Sequence, residues 1–202
     1  MSKPFEEKKF NVPELKGISS KNIEEHLKLY AGYVKHANLI EQMIEMYGAV
    51  EAEDGKYSLA EIKRRFSFEF NGMRNHELYF SQFEGGSQPV DTNSALAKAG
   101  MEEWPSYDAW LTSFKNMALT RGIGWAMLVW DPASKKLINS WVDEQHLGQL
   151  SGCTPILALD MWEHSYVADY QPSGKKQYVE DFFANLNWKK VEENFVSAEG
   201  KQ

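Results

Sequence analysis

DMWEHSY, residues 160–166, directly follows the apolar run PILAL, residues 155–159. This run is typical of a buried β-strand, so Asp160 is expected where the strand ends. A carboxylate is costly to bury without a partner, and His164 follows four residues later. Both side chains can turn toward one divalent or trivalent metal ion. A structural ion pair between the two is the alternative that these residues alone leave open.

The composition is that of an ordinary globular chain, with 202 residues, of which 43% are hydrophobic and 25% charged. Its formal net charge of −7 argues against nucleic-acid binding. No apolar run approaches the ~18 residues of a membrane span, and no hydrophobic segment follows the N-terminal charges. We therefore expect a cytoplasmic protein with no membrane or nucleic-acid partner. The single Cys153 cannot form an internal disulfide, which fits a reducing compartment.

The first part of the chain predicts two long helices. Apolar residues recur every three or four positions from Ile23 to Ile44, after a Ser19 N-cap and before Gly48. A charged loop at residues 51–56 leads to SLAE, residues 58–61, a capping box that predicts a helix to Phe80. Helices joined by a short loop should pack antiparallel, and this brings His26 and His76 within reach of each other. A core histidine with one hydrogen bond is the alternative for His26.

The second part predicts a mixture of elements. Apolar runs at residues 123–130, 137–142 and 155–159 indicate three strands, the first two forming a hairpin. Helices are expected at residues 94–98, 106–119, 177–187 and 188–195. The predicted class is α+β: a long N-terminal antiparallel α-hairpin, followed by an α/β part with a three-stranded antiparallel sheet. The expected domains are residues 1–88 and 89–202.

The heptapeptide at residues 160–166 resembles the signature of the iron/manganese superoxide dismutases. Four further segments are similar to motifs of that family: ISSKNIEEH at 18–26, NH at 75–76, GIGW at 122–125 and NW at 187–188. The resemblance implies that the chain converts superoxide to dioxygen and hydrogen peroxide. It also implies one Fe or Mn ion per subunit, with four ligands: His26, His76, Asp160 and His164.

The resemblance further assigns residues around the ion. Trp125 and Trp162 would belong to an aromatic wall, and Tyr166 would lie near the subunit interface. Tyr33 would be the gateway phenol with Tyr30 beside it, although the spacing after His26 is one residue shorter than usual. The position four residues after His26 is often a histidine in the family, and Val167 stands where a tyrosine often pairs with that histidine across the dimer. In this chain Tyr30 and Val167 occupy these two positions, so both members of the pair are changed.

The residue that holds the metal-bound solvent is a further expectation from the resemblance. In many members it is a glutamine four residues before the second-helix histidine, but Gly72 is at that position. The donor is then expected after the β-hairpin, where EQH at residues 144–146 resembles the Glu-x-His segment of archaeal-type members. This makes His146 the predicted donor, with Gln145 behind it. Two exposed loop residues are the alternative.

Glu163 resembles the family's subunit bridge, which implies a homodimer or a dimer of dimers. The small anionic substrate would be attracted by local positive charge, for which the sequence offers Lys28, Lys35, Arg74 and Lys175. Two other functions fit parts of the pattern. Two histidines and one carboxylate also suit a non-haem iron oxygenase, and the changed dimer pair suits a metal-binding protein with little dismutase activity. The choice between iron and manganese is not fixed by the sequence.

Overall fold

The N-terminal part is a hairpin of two long helices in the computed structural model, which describes residues 3–48 and 53–200. Helix α1 spans Ser20–Tyr47 and helix α2 spans Glu53–Ser81. The Ser19 side chain accepts a hydrogen bond from the backbone N–H of Asn22 at 3.1 Å, so the predicted N-cap is confirmed. Gly48 is the C-cap of α1, which also agrees with the sequence.

Helix α2 begins earlier than its sequence pattern predicts. Residues 53–56 are helical, so the predicted loop is wrong there, while residues 51 and 52 lie outside the described residues. Glu53 is in the first turn, where a carboxylate interacts favourably with the helix dipole. Glu61 lies inside the helix and pairs with Arg64 at 2.6 Å, so the capping-box pattern does not mark a helix start.

The C-terminal part contains a small antiparallel sheet. Its strands β1 (Gly124–Asp131), β2 (Lys136–Asp143) and β3 (Thr154–Asp160) lie in the order β2-β1-β3. Residues 124–130 of the central strand are all buried, as a strand covered on both faces requires. Trp125 pairs with Val142 on one side and with Asp160 on the other, so the sheet fixes the end of β3 beside Trp125.

Helices cover the sheet. They are α3 (Ala95–Glu103), α4 (Tyr107–Ala118), α5 (Lys175–Asn185) and α6 (Trp188–Glu199), with short 3-10 turns at Glu163–Ser165 and Pro172–Gly174. Gln82 at the end of α2 exchanges two hydrogen bonds with the backbone of Ala158, at 2.7 and 2.8 Å, and this ties the hairpin to β3. The predicted α+β class is confirmed, and the domain boundary near residue 88 stays a prediction. Among the helices that the structure describes, none combines the length and apolarity that a bilayer crossing requires.

Candidate metal centre

Four side chains that the sequence singles out lie together where the hairpin meets the sheet. His26 is on α1, His76 is on α2, Asp160 ends β3, and His164 lies in the following 3-10 turn. One ligand atom from each residue lies within 4.8 Å of those of the others. The first three side chains are at most 1% exposed, whereas that of His164 is 21% exposed. We call these four residues the ligand cluster.

Asp160 is the centre of the ligand cluster. Its Oδ2 atom lies 3.1 Å from Nε2 of His26, 3.1 Å from Nε2 of His164 and 3.6 Å from Nε2 of His76. Its Oδ1 atom accepts a hydrogen bond from the backbone N–H of Trp162 at 2.8 Å. The carboxylate is therefore held through one oxygen and presents the other to three imidazoles.

The hydrogen bonding of His76 shows that a cation fits this cluster. Its Nδ1 atom lies 2.6 Å from the backbone carbonyl oxygen of Gly72. A carbonyl oxygen only accepts, so Nδ1 carries the proton and Nε2 carries a lone pair. That Nε2 atom is buried without a hydrogen-bond partner and faces the Asp160 carboxylate. A metal ion between these electron-rich atoms would stabilise them, and imidazole with carboxylate suits first-row transition metals.

The protonation states of the cluster also favour metal binding. Burial, reinforced by nearby His26, lowers the pKa of His76 to about 3. Burial likewise lowers the pKa of His26, although Asp160 opposes the shift. Burial acts to raise the pKa of Asp160, but interactions with His164 and His26 outweigh it and hold that pKa below its usual range. At neutral pH the cluster thus presents two neutral imidazoles and an ionised carboxylate, the forms that bind metals.

Gln145 lies in a continuous hydrogen-bonded chain beside the cluster. Its side chain is fully buried, accepts a hydrogen bond from the indole N–H of Trp125 at 2.9 Å and donates one to the Tyr33 hydroxyl at 2.9 Å. The Tyr33 ring centroid lies 5.0 Å from that of His76. Burial, followed by the negative charge of Asp160, raises the pKa of Tyr33, so its phenol stays protonated at neutral pH.

The loop after β2 turns Gln145 inward and places His146 differently. Glu144 has a φ of 51°, the left-handed region that a non-glycine residue adopts only at a cost. The turn there buries the next side chain, Gln145. The half-buried His146 ring instead packs near Phe68, with centroids 5.8 Å apart, and its buried Nδ1 atom has no hydrogen-bond partner.

Two glycines allow close packing around the site. A Cβ atom at Gly72 would overlap the ring of Tyr33, so the absence of a side chain there lets the phenol lie against α2. Gly124 has a φ of 152°, and a Cβ atom there would overlap the backbone oxygen of Val142. Gly124 also accepts a hydrogen bond through its backbone oxygen from the N–H of Met161 at 2.8 Å, which positions the segment after Asp160.

Tyr30 faces away from the Gln145 chain. Its ring is fully buried, and its hydroxyl accepts a hydrogen bond from the backbone N–H of Lys8 at 2.8 Å and donates to Glu77 at 3.4 Å. Glu77 in turn pairs with Lys8 at 2.7 Å and with Arg74 at 2.8 Å. Tyr30 therefore links the N-terminal segment to both hairpin helices. Its predicted catalytic role stays a prediction.

The remaining predicted residues surround His164. The Trp162 ring is stacked against the His164 ring at 5.8 Å, and its indole N–H donates to the backbone oxygen of Glu144 at 3.0 Å. Tyr166 is buried and stacks on Tyr178 at 5.3 Å. The Glu163 side chain is exposed in the single chain, and Val167 is 38% exposed. The bridging role of Glu163 stays a prediction.

Asn75 and Gln149 hold the Gln145 loop in place, and sequence reasoning does not identify this role. The Asn75 side-chain amide donates to the backbone oxygen of Gln145 at 2.9 Å, and the Gln149 amide donates to Asn75 Oδ1 at 3.4 Å. A polar residue next to His76 on the buried face of a helix is the signal that points to Asn75. Gln149 lies in an irregular loop, where no periodic pattern distinguishes it.

Comparisons with known proteins agree with this geometry. The family model described as iron/manganese superoxide dismutases, C-terminal domain, matches residues 92–194. A protein of Cupriavidus metallidurans named superoxide dismutase (Fe) is 34% identical over 189 residues, 92% of each chain. One of Aquifex aeolicus, also named superoxide dismutase (Fe), is 31% identical over 91% of this chain and 87% of its own. A superoxide dismutase (Mn) of Haloferax volcanii is 38% identical over 79% of this chain and 77% of its own. The chain belongs to the iron/manganese superoxide dismutase family.

Proposed function

We propose that the ligand cluster holds the ion with which this chain dismutates superoxide, two superoxide anions and two protons giving dioxygen and hydrogen peroxide. The cofactor of the family is one Fe or Mn ion per subunit, and the relatives include both kinds. The observation that carries the proposal is the convergence of three imidazole nitrogens and one carboxylate oxygen within 4.8 Å. His26, His76, Asp160 and His164 are the proposed ligands.

The residues around the cluster supply binding, orientation and a proton. A redox-active ion held by the ligand cluster would supply the electron exchange between two superoxide anions. Asp160 contributes the one negative charge of the ligand set, which favours the more oxidised state of the ion. The backbone hydrogen bond from Trp162 to Oδ1 keeps the carboxylate oriented during the cycle.

Tyr33 is the proposed proton donor. Its oxygen accepts a hydrogen bond from the Gln145 amide, which leaves its own hydrogen free to bond to a reactant or solvent molecule. Gln145 is oriented by Trp125 and, through its backbone, by Asn75. This network favours Gln145 over His146 as the residue that orients solvent beside the ion, because His146 has no hydrogen bond to Tyr33 or Trp125 among the described contacts.

The three imidazoles argue against the oxygenase alternative. The facial triad of those enzymes uses two histidines and one carboxylate and leaves more positions open. Here a third imidazole nitrogen lies in the same cluster. The other alternative, a metal-binding protein with little dismutase activity, would have the same ligands and would differ from the proposal only in its catalytic rate.

A homodimer would complete the exposed side of the cluster. His164 is its only partly exposed member, and the neighbouring Glu163 carboxylate is free to reach a second protomer. A carboxylate that accepts a hydrogen bond from a ligand histidine orients the ring and raises its basicity. Glu163→Ala should therefore shift sedimentation toward the monomer and weaken ion retention. A Glu163→Ala protein that sediments like the parent and holds its ion equally well would contradict this role.

The proposed function is tested by following superoxide decay with purified protein loaded separately with iron and with manganese. Bound ion is measured on each sample, and metal-free protein is the control. Catalysed decay by at least one loaded form is expected. Fully loaded forms that leave the spontaneous decay rate unchanged would refute the enzymatic assignment.

A further inference from the structure

We propose that Arg65, countered by Glu69, attracts the anionic substrate to the entrance of the metal centre. The inference rests on the proposed function, because it takes superoxide as the substrate. It assigns a guiding role to a cation that the sequence motifs do not mark.

The entrance is defined by the rings that surround the exposed edge of the ligand cluster. His164 is the cluster member that solvent reaches, and the Trp162 ring is stacked on it at 5.8 Å. The Phe68 ring lies 6.5 Å from Trp162, 5.8 Å from His146 and 6.0 Å from Tyr33. Phe68 thus touches the groups that separate the cluster from solvent on the side of the proposed proton donor.

Arg65 covers this entrance with a positive charge. Its guanidinium carbon lies 3.6 Å from the centroid of the Phe68 ring, a cation–π contact that holds the side chain over the ring. Its Nε atom donates to Glu69 Oε1 at 3.0 Å, one helical turn further along α2. The Arg65 side chain is 54% exposed and that of Glu69 only 11%. An anion that approaches from solvent therefore meets the cation of this pair first.

A local cation matters because the chain as a whole repels the substrate. The formal net charge is −7. A positive group at a cleft raises the local concentration of anions even when the overall charge is unfavourable, and salt screens the effect. Three cations suggested by the sequence are engaged elsewhere: Lys28 with Glu25, Arg74 with Glu77, and Lys175 with the backbone oxygen of Thr120.

Because Glu69 opposes Arg65, removing one charge or the other should change the attraction of superoxide in opposite directions. In the parent its carboxylate offsets part of the field of Arg65. Removing Arg65 alone leaves a nearly buried negative charge beside the entrance, which repels superoxide. Removing Glu69 alone leaves the cation uncompensated, which attracts it. Removing both charges should leave the potential at the entrance between that of Arg65→Gln and that of the parent, because in the parent the exposed cation outweighs the nearly buried carboxylate.

The test measures kcat/KM for superoxide on metal-loaded variants at low and high ionic strength. Arg65→Gln should lower kcat/KM about two- to fivefold at low salt, with kcat unchanged and the difference shrinking as salt rises. Glu69→Gln should raise kcat/KM, and Arg65→Lys should retain most of the parent value. The matched control is Arg64→Gln, which removes the same charge one residue away, where Arg64 is 79% exposed and pairs with Glu61.

A second readout does not depend on turnover. The affinity of the loaded protein for azide, a small monovalent anion, should fall in Arg65→Gln and rise in Glu69→Gln. The double variant Arg65→Gln/Glu69→Gln should lie between Arg65→Gln and the parent in both readouts, and this separates charge from folding defects.

Several results would overturn the role of Arg65 alone, given an active parent. The first is an equal decrease of kcat/KM in Arg64→Gln, and the second is a decrease in Arg65→Gln that high salt does not diminish. The others are a kcat/KM of Arg65→Lys as low as that of Arg65→Gln, and an azide affinity of Arg65→Gln equal to the parent's. A fully loaded parent without dismutase activity would instead overturn the proposed function, and the inference with it.

Discussion

The ligand cluster and the neighbouring Gln145 side chain are built in opposite ways. In the cluster, Nε2 of His76 faces the Asp160 carboxylate and is buried without a hydrogen-bond partner. Gln145, equally buried, uses its amide N–H, its amide oxygen and its backbone oxygen in bonds to Tyr33, Trp125 and Asn75. The difference shows that the cluster has binding capacity that an ion would complete, whereas the Gln145 side chain is fixed by Tyr33 and Trp125, which leaves its second amide N–H for solvent beside the ion.

The largest effect is expected when the cluster itself is broken. His76→Ala removes one of four proposed ligands, so the purified variant should contain little iron or manganese and have negligible activity. His36→Ala, which removes an exposed histidine of α1, is the matched control and should keep the parent's metal content. Elemental analysis of both variants checks the prediction. Full occupancy in His76→Ala would remove His76 from the ligand set.

A smaller effect is expected when the network beside the cluster is broken. Gln145→Ala should retain the ion but lose activity by about 10–100-fold, the range typical of groups that orient metal-site partners. His146→Ala should retain the ion and change activity by less than about twofold, because its ring only packs near Phe68. The catalytic rates of the two variants, compared at measured metal occupancy, decide which residue orients the solvent beside the ion. A larger loss in His146→Ala would reverse the assignment.

In the metal-free protein, the ligand cluster should make the free energy of unfolding depend on pH, whereas Gln145 should not. The folded chain holds His76 neutral down to a pKa of about 3, whereas the unfolded chain takes up the proton near 6.5. The contribution of neutral His76 to the free energy of unfolding is therefore fully present above pH 6.5 and is lost as the pH falls toward 3. By pH 5 the free energy of unfolding should be lower by about 2 kcal/mol. Asp160, whose pKa is held low, adds a loss in the same direction at still lower pH. The Gln145 side chain has no titratable group, so it adds no pH dependence to the free energy of unfolding.

This prediction is measured by denaturant unfolding of metal-free protein at pH 7.5 and pH 5. His36→Ala should show the parent's dependence, and His76→Ala a weaker one. Equal free energies of unfolding at the two pH values in the parent would show that the buried imidazoles are not held neutral.

The smallest effect is expected at Tyr30, which lies outside both regions. Tyr30→Phe removes the acceptor for the Lys8 backbone N–H and the donor to Glu77, so the free energy of unfolding should fall by about 1 kcal/mol. Metal content and kcat should match the parent's, whereas Tyr33→Phe should lower kcat as well as lose the hydrogen bond from the Gln145 amide. A kcat loss in Tyr30→Phe as large as that in Tyr33→Phe would restore a catalytic role to Tyr30.

The sequence predicted much of this arrangement for physical reasons. His26 and His76 lie on periodic helices and Asp160 follows an apolar strand, so regular geometry fixes where each side chain points. The choice between Gln145 and His146 depends instead on one residue of register in a loop, which the left-handed Glu144 sets. The sequence pattern places the start of α2 too late, because SLAE at residues 58–61 has the same form inside a helix as at its start.

The most direct test of the account is the superoxide decay rate plotted against bound ion per chain, for one preparation loaded stepwise with iron or manganese. We predict a rate that rises linearly up to one ion per chain and then stays constant, with no activity in the metal-free protein. A rate that is independent of bound ion, or that keeps rising beyond one ion per chain, would contradict the claim that the ligand cluster holds the catalytic ion.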